Sequence, residues 1–428
     1  MYQKIESMSE NNEIVVGLDI GTTKIAVLVG EKTEHGKLNV LGMGKAPSLG
    51  VKRGVVTHLS PTVDAIEKAV KEAEDQSGVE INVVNVGIAG KHIKSLQHRA
   101  SKIRTRPEDE ITKKDIDELI EDMNRLVMLP GEQIIDVIPQ DFTVDQEHGI
   151  LDPIGMSGSR FEANFHVITG HMTAVSNIYR CVRRAGLEVQ NLILEPLASA
   201  DAVLTKEEKE AGVVLVDIGG GTTDVAIFKE GIIRHTAVIP YGGNSLTYDI
   251  KEGCSIIERQ AQLLKERFGY AIADSASDSE IIAIPGLPGR EHKEISVKNL
   301  AHIIQARMEE IIEQVYYEIT NSGFEKKLIA GIVVTGGGSQ LRHVKQLFEF
   351  MTGLETNIGT PTKHLASSKN DISSPSFATG TGLVVKGFER SGEGSAEVRT
   401  EKEEKNKDKF GMKSFLDMIK GMMTENDI

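Results

Sequence analysis

One short turn occurs twice in this chain, about two hundred residues apart, and its duplication constrains the fold more than any other feature. The first copy is GLDIGTTK, from Gly17 to Lys24, and the second is VDIGGGTTD, from Val216 to Asp224. Apolar runs rich in β-branched residues flank each copy, at 14–16 and 25–29 around the first and 213–216 and 225–228 around the second. Each copy therefore reads as a two-stranded hairpin with a Gly-Thr-Thr tip. Glycine at such a tip lets the backbone come within hydrogen-bonding distance of an anionic oxygen and take φ values that a side chain forbids. The threonine hydroxyls add donors. Gly21, Thr22, Thr23 and Lys24 thus form one candidate phosphate grip, and Gly219, Gly220, Gly221, Thr222 and Thr223 the other. Asp19 and Asp217, each just before its tip, suit the waters of a hydrated magnesium ion, which keeps several waters and takes few carboxylates. One glycine-rich tip is common in sheets and means little alone, whereas two facing copies enclose a triphosphate from both sides.

A third element fits the same ligand. The buried-strand run 332–335 ends in Gly336, Gly337, Gly338 and Ser339, and a helical stretch from Leu341 to Phe350 follows. An ordinary strand-to-helix turn needs one glycine, and three suit close approach to a flat base or a ribose. At 428 residues with 39% hydrophobic content, the chain can bury two cores, and its alternation of strands and helices argues an α/β fold. Two cysteines, Cys181 and Cys254, make no disulfide framework and point to a reducing compartment. The stretch 1–13 carries no export pattern, no run approaches the ~18 apolar residues of a membrane span, and a net charge of −14 argues against general nucleic-acid binding. A cytoplasmic starting point is the expectation.

These motifs, in this order, resemble those of the actin, hexokinase and heat-shock chaperone ATPase superfamily. The segment 194–200 (LEPLASA) resembles its first connecting segment and 374–383 (SPSFATGTGL) its second, with the two hairpins as phosphate loops and 335–339 as the adenosine loop. The resemblance implies a two-lobed actin-like fold of duplicated ribonuclease-H-like domains, with ATP and Mg2+ as cofactors. It also implies that Glu195 orients the attacking water. As a residue alone, Glu195 can equally end a strand before a helix starting at Pro196. The ribose-contacting Glu and Lys of the superfamily fall on Gln262 and Lys265 in a helix at 261–265. Gln262 departs from that pattern while still offering hydrogen bonds to a hydroxyl.

Between 86 and 165 the chain carries a pattern of its own, long enough for a small α+β subdomain: GIAGKHI at 87–93, an amphipathic helix from Lys113 to Met128, then 134–140 and 149–158. This run, with GVKRGVV at 50–56 and FHVIT at 165–169, resembles the inserted subdomain of the FtsA family of bacterial cell-division proteins. The expected organisation is a first lobe at 13–85 and 166–197, joined by 372–390, with the insert at 86–165. A second lobe spans 198–371 and includes a smaller subdomain at about 245–325. In that family the tail of the tubulin-like FtsZ binds this smaller subdomain, and the match falls on Arg290 and Arg307, which as residues alone read as solvated surface charges. The resemblance further implies self-association and contact of later division proteins with the insert.

From 391 to 409 the residues are polar and charged with little to bury, which reads as a disordered tether. The segment 410–424 follows. Phe410 opens it, and Met412, Phe415, Leu416, Ile419, Met422 and Met423 recur at three- and four-residue steps along one helical face, with Lys413 and Lys420 among the lysines that flank it. Such a face binds an anionic lipid surface or a partner groove, or docks back on the body. FtsA-like proteins end in a membrane-targeting helix of this kind, which implies a peripheral location on the cytoplasmic side of the cell membrane at the division site. Two other readings remain open: a pilus-assembly scaffold resembling PilM, which shares the FtsA-like body, and a small-molecule kinase of the same superfamily, for which no substrate base stands out.

Overall fold

The structure is a computed structural model that describes residues 13–391 except 35, 287, 288, 290 and 367–370. The expected tether and tail helix, and with them Phe410, Met412, Lys413, Phe415, Leu416, Ile419, Lys420, Met422 and Met423, lie outside the described residues, as does Arg290.

The duplicated turns sit in duplicated sheets. In the first lobe β1 (Ile14–Ile20), β2 (Lys24–Lys32) and β3 (Leu38–Pro47) form an antiparallel meander, followed by a small hairpin of β4 (Val51–Lys52) and β5 (Val55–Val56), then α1 (Leu59–Ser77) and β6 (Val83–Ile88). The insert contributes β7 (Lys94–Ile103), α2 (Lys113–Asn124), β8 (Glu132–Val144), β9 (Glu147–Ile150) and β10 (Arg160–His171). The chain returns through α3 (Met172–Arg184) and β11 (Glu188–Leu194), and α4 (Glu195–Val203) carries it to α5 (Lys206–Ala211) and the second lobe. There β12 (Val213–Ile218), β13 (Thr223–Lys229) and β14 (Ile232–Ile239) repeat the meander. After α6 (Gly243–Cys254), α7 (Glu258–Phe268), β15 (Ile281–Ile284), β16 (Lys293–Ser296) and α8 (Val297–Asn321) come β17 (Ile332–Thr335), α9 (Val344–Thr352) and β18 (Thr356–Ile358). A last helix, α10 (378–391), returns to the first lobe.

Sheet order makes the repeat explicit: β11-β6-β1-β2-β3 in one lobe and β18-β17-β12-β13-β14 in the other, each a meander with two parallel strands added beyond its first strand. Strands β1, β2, β12 and β13 are apolar on both faces because helices cover both sides, so their residues are nearly all buried. The core of the second lobe rests on α8, whose Leu300, Ile304, Met308, Ile311, Val315 and Ile319 recur every three or four residues and are fully buried.

The insert is an antiparallel sheet of order β7-β10-β8-β9 with its own core, in which Phe142 stacks on Phe161 at 5.6 Å and Leu119 and Met123 of α2 are buried. It packs on the first-lobe core through Ile168, pairs Asp136 with Arg390 of α10, and also meets β14, an edge strand of the second lobe. Gln97 Nε2 donates to Arg234 O at 3.2 Å, His166 Nε2 lies 3.0 Å from Thr236 Oγ1, and Arg234 pairs with Asp141 at 3.1 Å. The insert therefore covers an edge that would otherwise offer unpaired backbone groups.

Three expected boundaries shift. Residues 86–88 complete β6 and β10 runs on to His171, so the inserted sheet starts after Ile88 and passes residue 165. Rather than at Met128, helix α2 stops at Asn124, where Arg125 N donates to Asp122 O and Leu126 N to Met123 O in a tighter last turn. The helix expected from Leu341 begins at Val344, because a 3-10 turn at Gly337–Gln340 and His343 in the left-handed region (φ 64°) intervene.

The two connecting segments cross in close contact. A Cβ on Gly382 of α10 would lie 1.8 Å from the carbonyl oxygen of Ala198 in α4. We expect Gly382→Ala to force the helices apart and to cost at least the ~1–3 kcal/mol of an overpacked core, read as a lower midpoint in urea unfolding. An unchanged midpoint would contradict this crossing.

Candidate nucleotide site

Both hairpin tips open into one cleft of about 530 Å³ between the lobes. Asp19, Gly21, Thr22, Thr23 and Lys24 line one side and Asp217, Gly219, Gly220, Gly221 and Thr222 the other, while Gln262, Lys265, Gly336, Gly337 and Gly338 form the far end. The tips touch. A Cβ on Gly220 would lie 1.9 Å from Thr23 Oγ1, and one on Gly221 2.5 Å from Thr22 Oγ1, so only glycine lets them meet. Gly336 (φ 82°) is equally constrained, since a Cβ there would lie 2.2 Å from Asp217 Oδ1.

Two expected ligands face elsewhere. Thr223 starts β13 with its side chain turned into the protein, and its Oγ1 donates to Tyr241 O at 2.9 Å. Ser339 is buried, and its hydroxyl donates to Gly336 O at 2.8 Å, bracing the glycine loop from behind. Strand alternation causes the first, and the tight 3-10 turn the second. Gln262 accepts from Thr247 Oγ1 at 2.7 Å and donates to Glu266 at 2.6 Å, which brings a carboxylate to the cleft wall one residue after Lys265. Lys265 donates to Gly243 O and Thr247 Oγ1, both at 2.8 Å, and burial lowers its pKa to about 8.

Electrostatics set this cleft apart. Asp19, Asp217 and Asp224 are buried, and Glu195 joins them at the start of α4, in space that Gly87 leaves open by lacking a Cβ. Burial raises all four carboxyls. Asp19 is pushed up to about 6, with Lys24 opposing the rise and Asp217 adding to it. For Glu195 the charges of Asp19, Asp224 and Asp217 add to the effect of burial. Lys24 itself is held below its ordinary pKa by burial, donates to Ser376 O at 2.5 Å and lies 3.6 Å over the Phe377 ring.

Several wall residues were not among the ligands that the sequence motifs singled out. Asp224 is the clearest: it pairs with Asp217 in the β12–β13 ladder, and its Oδ1 is buried with no hydrogen-bond partner. The turn at 242–244 holds the second tip, with Gly243 N donating to Gly219 O at 2.9 Å and Asn244 N to Gly220 O at 2.7 Å. Gly54, in the β4–β5 turn, donates its N–H to Thr22 Oγ1 at 3.1 Å.

The glycine cradle, the unpartnered Asp224 oxygen and the concentration of buried carboxylates fit a magnesium-bound triphosphate, whose cation supplies the missing counter-charge. Among the described residues no three His, Cys, Asp or Glu side chains gather closely enough to hold a bare ion, so Asp19 and Asp217 would hold such a cation through its waters. Arg307 is not the solvated charge that the sequence alone suggests. It forms a two-pronged pair with Asp249 of α6 at 2.6 and 3.1 Å, bonds Glu310 and lies 5.6 Å over the Tyr241 ring.

Comparison with known proteins bears on this arrangement directly. The family model described as Cell division protein FtsA matches residues 214–382, the SHS2 domain inserted in FTSA matches 90–169, and Hsp70 protein matches 176–238. The cell division protein FtsA of Pseudomonas aeruginosa is 42% identical over 387 residues, covering 90% of this chain and 92% of that one. The chain belongs to the FtsA family. The inserted-domain match spans the whole β7–β10 sheet to within two residues of its end, so the subdomain that sets this family apart is the one docked on β14. The FtsA-family chain shares its fold with two more distant structures, each 16% identical to it. The PilM-PilN type IV pilus biogenesis complex has a TM-score of 0.65, covering 87% of this chain and 98% of that one. MreB5 of Spiroplasma citri bound to ADP has a TM-score of 0.52, covering 89% and 98%.

The buried carboxylates give a pH prediction. The folded pKa of Asp19, about 6, lies above its ordinary value of 3.8, so its ionisation costs the fold stability as pH rises from about 4 to 6 and the full cost stands above that. Asp19→Asn should stabilise the nucleotide-free protein by about 2–3 kcal/mol at pH 7.5. The gain should vanish in melts near pH 4, and a gain independent of pH would contradict the origin assigned to it.

Proposed function

We propose that this FtsA-family cell-division protein is an ATP-binding, self-associating scaffold that tethers the FtsZ ring to the cytoplasmic face of the cell membrane. The observation that carries the reading is a relative 42% identical across 90% of the chain and named for cell division, and the glycine-lined cleft supports its nucleotide part. When bound, the magnesium ion of Mg-ATP would supply positive charge beside the buried carboxylates. The chain's own residues do the rest: the two tips grip the phosphates, Asp19 and Asp217 orient metal waters, and Glu195 positions a water for slow hydrolysis. The FtsZ C-terminal tail is read to bind the subdomain of α6–α8 and β15–β16, near Arg290 and Arg307, and later division proteins the insert. Membrane attachment is assigned to 410–424. The PilM-like alternative rests on fold likeness at 16% identity and is the weaker, while the kinase reading lacks a candidate substrate base.

In calorimetry with magnesium present, Asp217→Ala should lose ATP affinity strongly, while Glu195→Ala should retain it and lose hydrolysis. Unchanged affinity in the Asp217 variant would count against the nucleotide assignment.

The tail is tested separately. Phe415 and Ile419 lie four residues apart on the apolar face, and each should contribute roughly 1.5–3 kcal/mol on insertion, against about 1 kcal/mol each for Lys413 and Lys420 on an anionic leaflet. Phe415→Glu with Ile419→Glu should abolish co-sedimentation with anionic liposomes at any ionic strength. Lys413→Gln with Lys420→Gln should weaken it modestly, and a larger loss from the lysine pair at physiological salt would turn the reading towards an acidic protein partner.

A further inference from the structure

One oxygen of the Asp217 carboxylate is held by groups from two different parts of the chain. Its Oδ1 faces the place where Gly336 has no side chain. Its Oδ2 accepts a hydrogen bond from Ser199 Oγ at 2.6 Å and another from Thr379 Oγ1 at 3.3 Å, and the two hydroxyls lie 3.0 Å apart. Ser199 is fully buried on α4, and Thr379 stands at the start of α10. These two helices are the segments that pass between the lobes, and they cross at the Gly382–Ala198 contact. Each hydroxyl has one proton to give, and with both given to Asp217 Oδ2 the three groups form a compact cluster across the crossing.

We propose that Ser199 and Thr379 are positioning residues for Asp217, so that the magnesium side of the phosphate grip is aligned only while α4 and α10 keep their crossed arrangement. The reasoning is geometric. Hydrogen bonds from two hydroxyls fix the rotation of a carboxylate that would otherwise turn about its last torsion, and a carboxylate accepting them is held more strongly than a neutral acceptor. Since the hydroxyls ride on separate helices, a relative shift of one turn's fraction along the crossing breaks at least one of the bonds. Lobe rotation and metal-water geometry are thereby one coordinate. The inference rests on the nucleotide reading above and adds to it the residues through which lobe closure reaches the cation.

The test is calorimetric titration of the full chain with ATP, once with magnesium and once with EDTA, for the wild type, Ser199→Ala, Thr379→Val and Thr379→Ser. Ser199→Ala and Thr379→Val should each lose roughly tenfold or more in affinity for Mg-ATP while binding metal-free ATP as the wild type does. Thr379→Ser restores the hydroxyl and should recover the wild-type magnesium dependence, a rescue that a purely space-filling role for Thr379 would not give. Should Ser199→Ala fail to fold, the Thr379→Val and Thr379→Ser pair decides alone. Wild-type magnesium dependence in Thr379→Val would overturn the assignment, as would an equal loss of affinity with and without metal. A wild-type chain that binds no Mg-ATP would overturn the nucleotide reading first, and this assignment with it.

Discussion

The contact between the two hairpin tips is the constraint on which the rest of this structure depends. Thr22 and Thr23 press against Gly220 and Gly221 so closely that no side chain fits at either glycine, and this contact sets how near the two sheets approach. Once the tips meet, β1–β2 and β12–β13 must face each other across a cleft, and the chain must pass between the lobes without filling it. It does so through α4 and α10, which can cross beneath the tips because Gly382 presents bare backbone to Ala198. The insert is placed by a different demand, the capping of edge strand β14 by β7, β8 and β10. One repeated hairpin thus accounts for the lobes and the cleft, and one exposed edge for the position of the subdomain that marks the family.

The cleft holds four carboxyls raised by burial, with Lys24 as their close cation. A site built for stability alone would not gather them, because ionised groups without compensation oppose folding. Conflict of this kind between local stability and arrangement belongs to functional sites. The orphan oxygen of Asp224 says the same thing in another form: it is buried, unpaired, and paired along the ladder with the residue whose other oxygen is held from both connecting segments. A cation bound beside these groups would offset part of that cost and so couple ligand binding to stability.

Much of this was legible from local pattern. The Gly-Thr-Thr tips, the three glycines at 336–338 and the β-branched runs announce themselves within eight residues, and the duplicated sheet order follows from the repeat. What escaped depends on register or on distance along the chain. Thr223 differs from Thr222 only in which face of the strand it occupies, and Ser339 turns inward because a 3-10 turn replaces the first turn of the expected helix. Asp224 had a signal, since counting outward from the tip pairs it with Asp217, but the first copy carries Ala26 at the matching place opposite Asp19, so the comparison of copies obscures it. The clasp of Ser199 and Thr379 on Asp217 joins positions 18 and 162 residues away, and the pairing of Arg307 with Asp249 spans 58, separations that no periodicity encodes.

The most direct test of the account is a crystal structure of the chain with magnesium and a non-hydrolysable ATP analogue. The account predicts the triphosphate between Gly21–Lys24 and Gly219–Thr222, the cation's waters on Asp19 and Asp217, and the base towards Gly336–Gly338. A nucleotide bound away from the two tips, or a cleft that stays empty at saturating analogue, would contradict it.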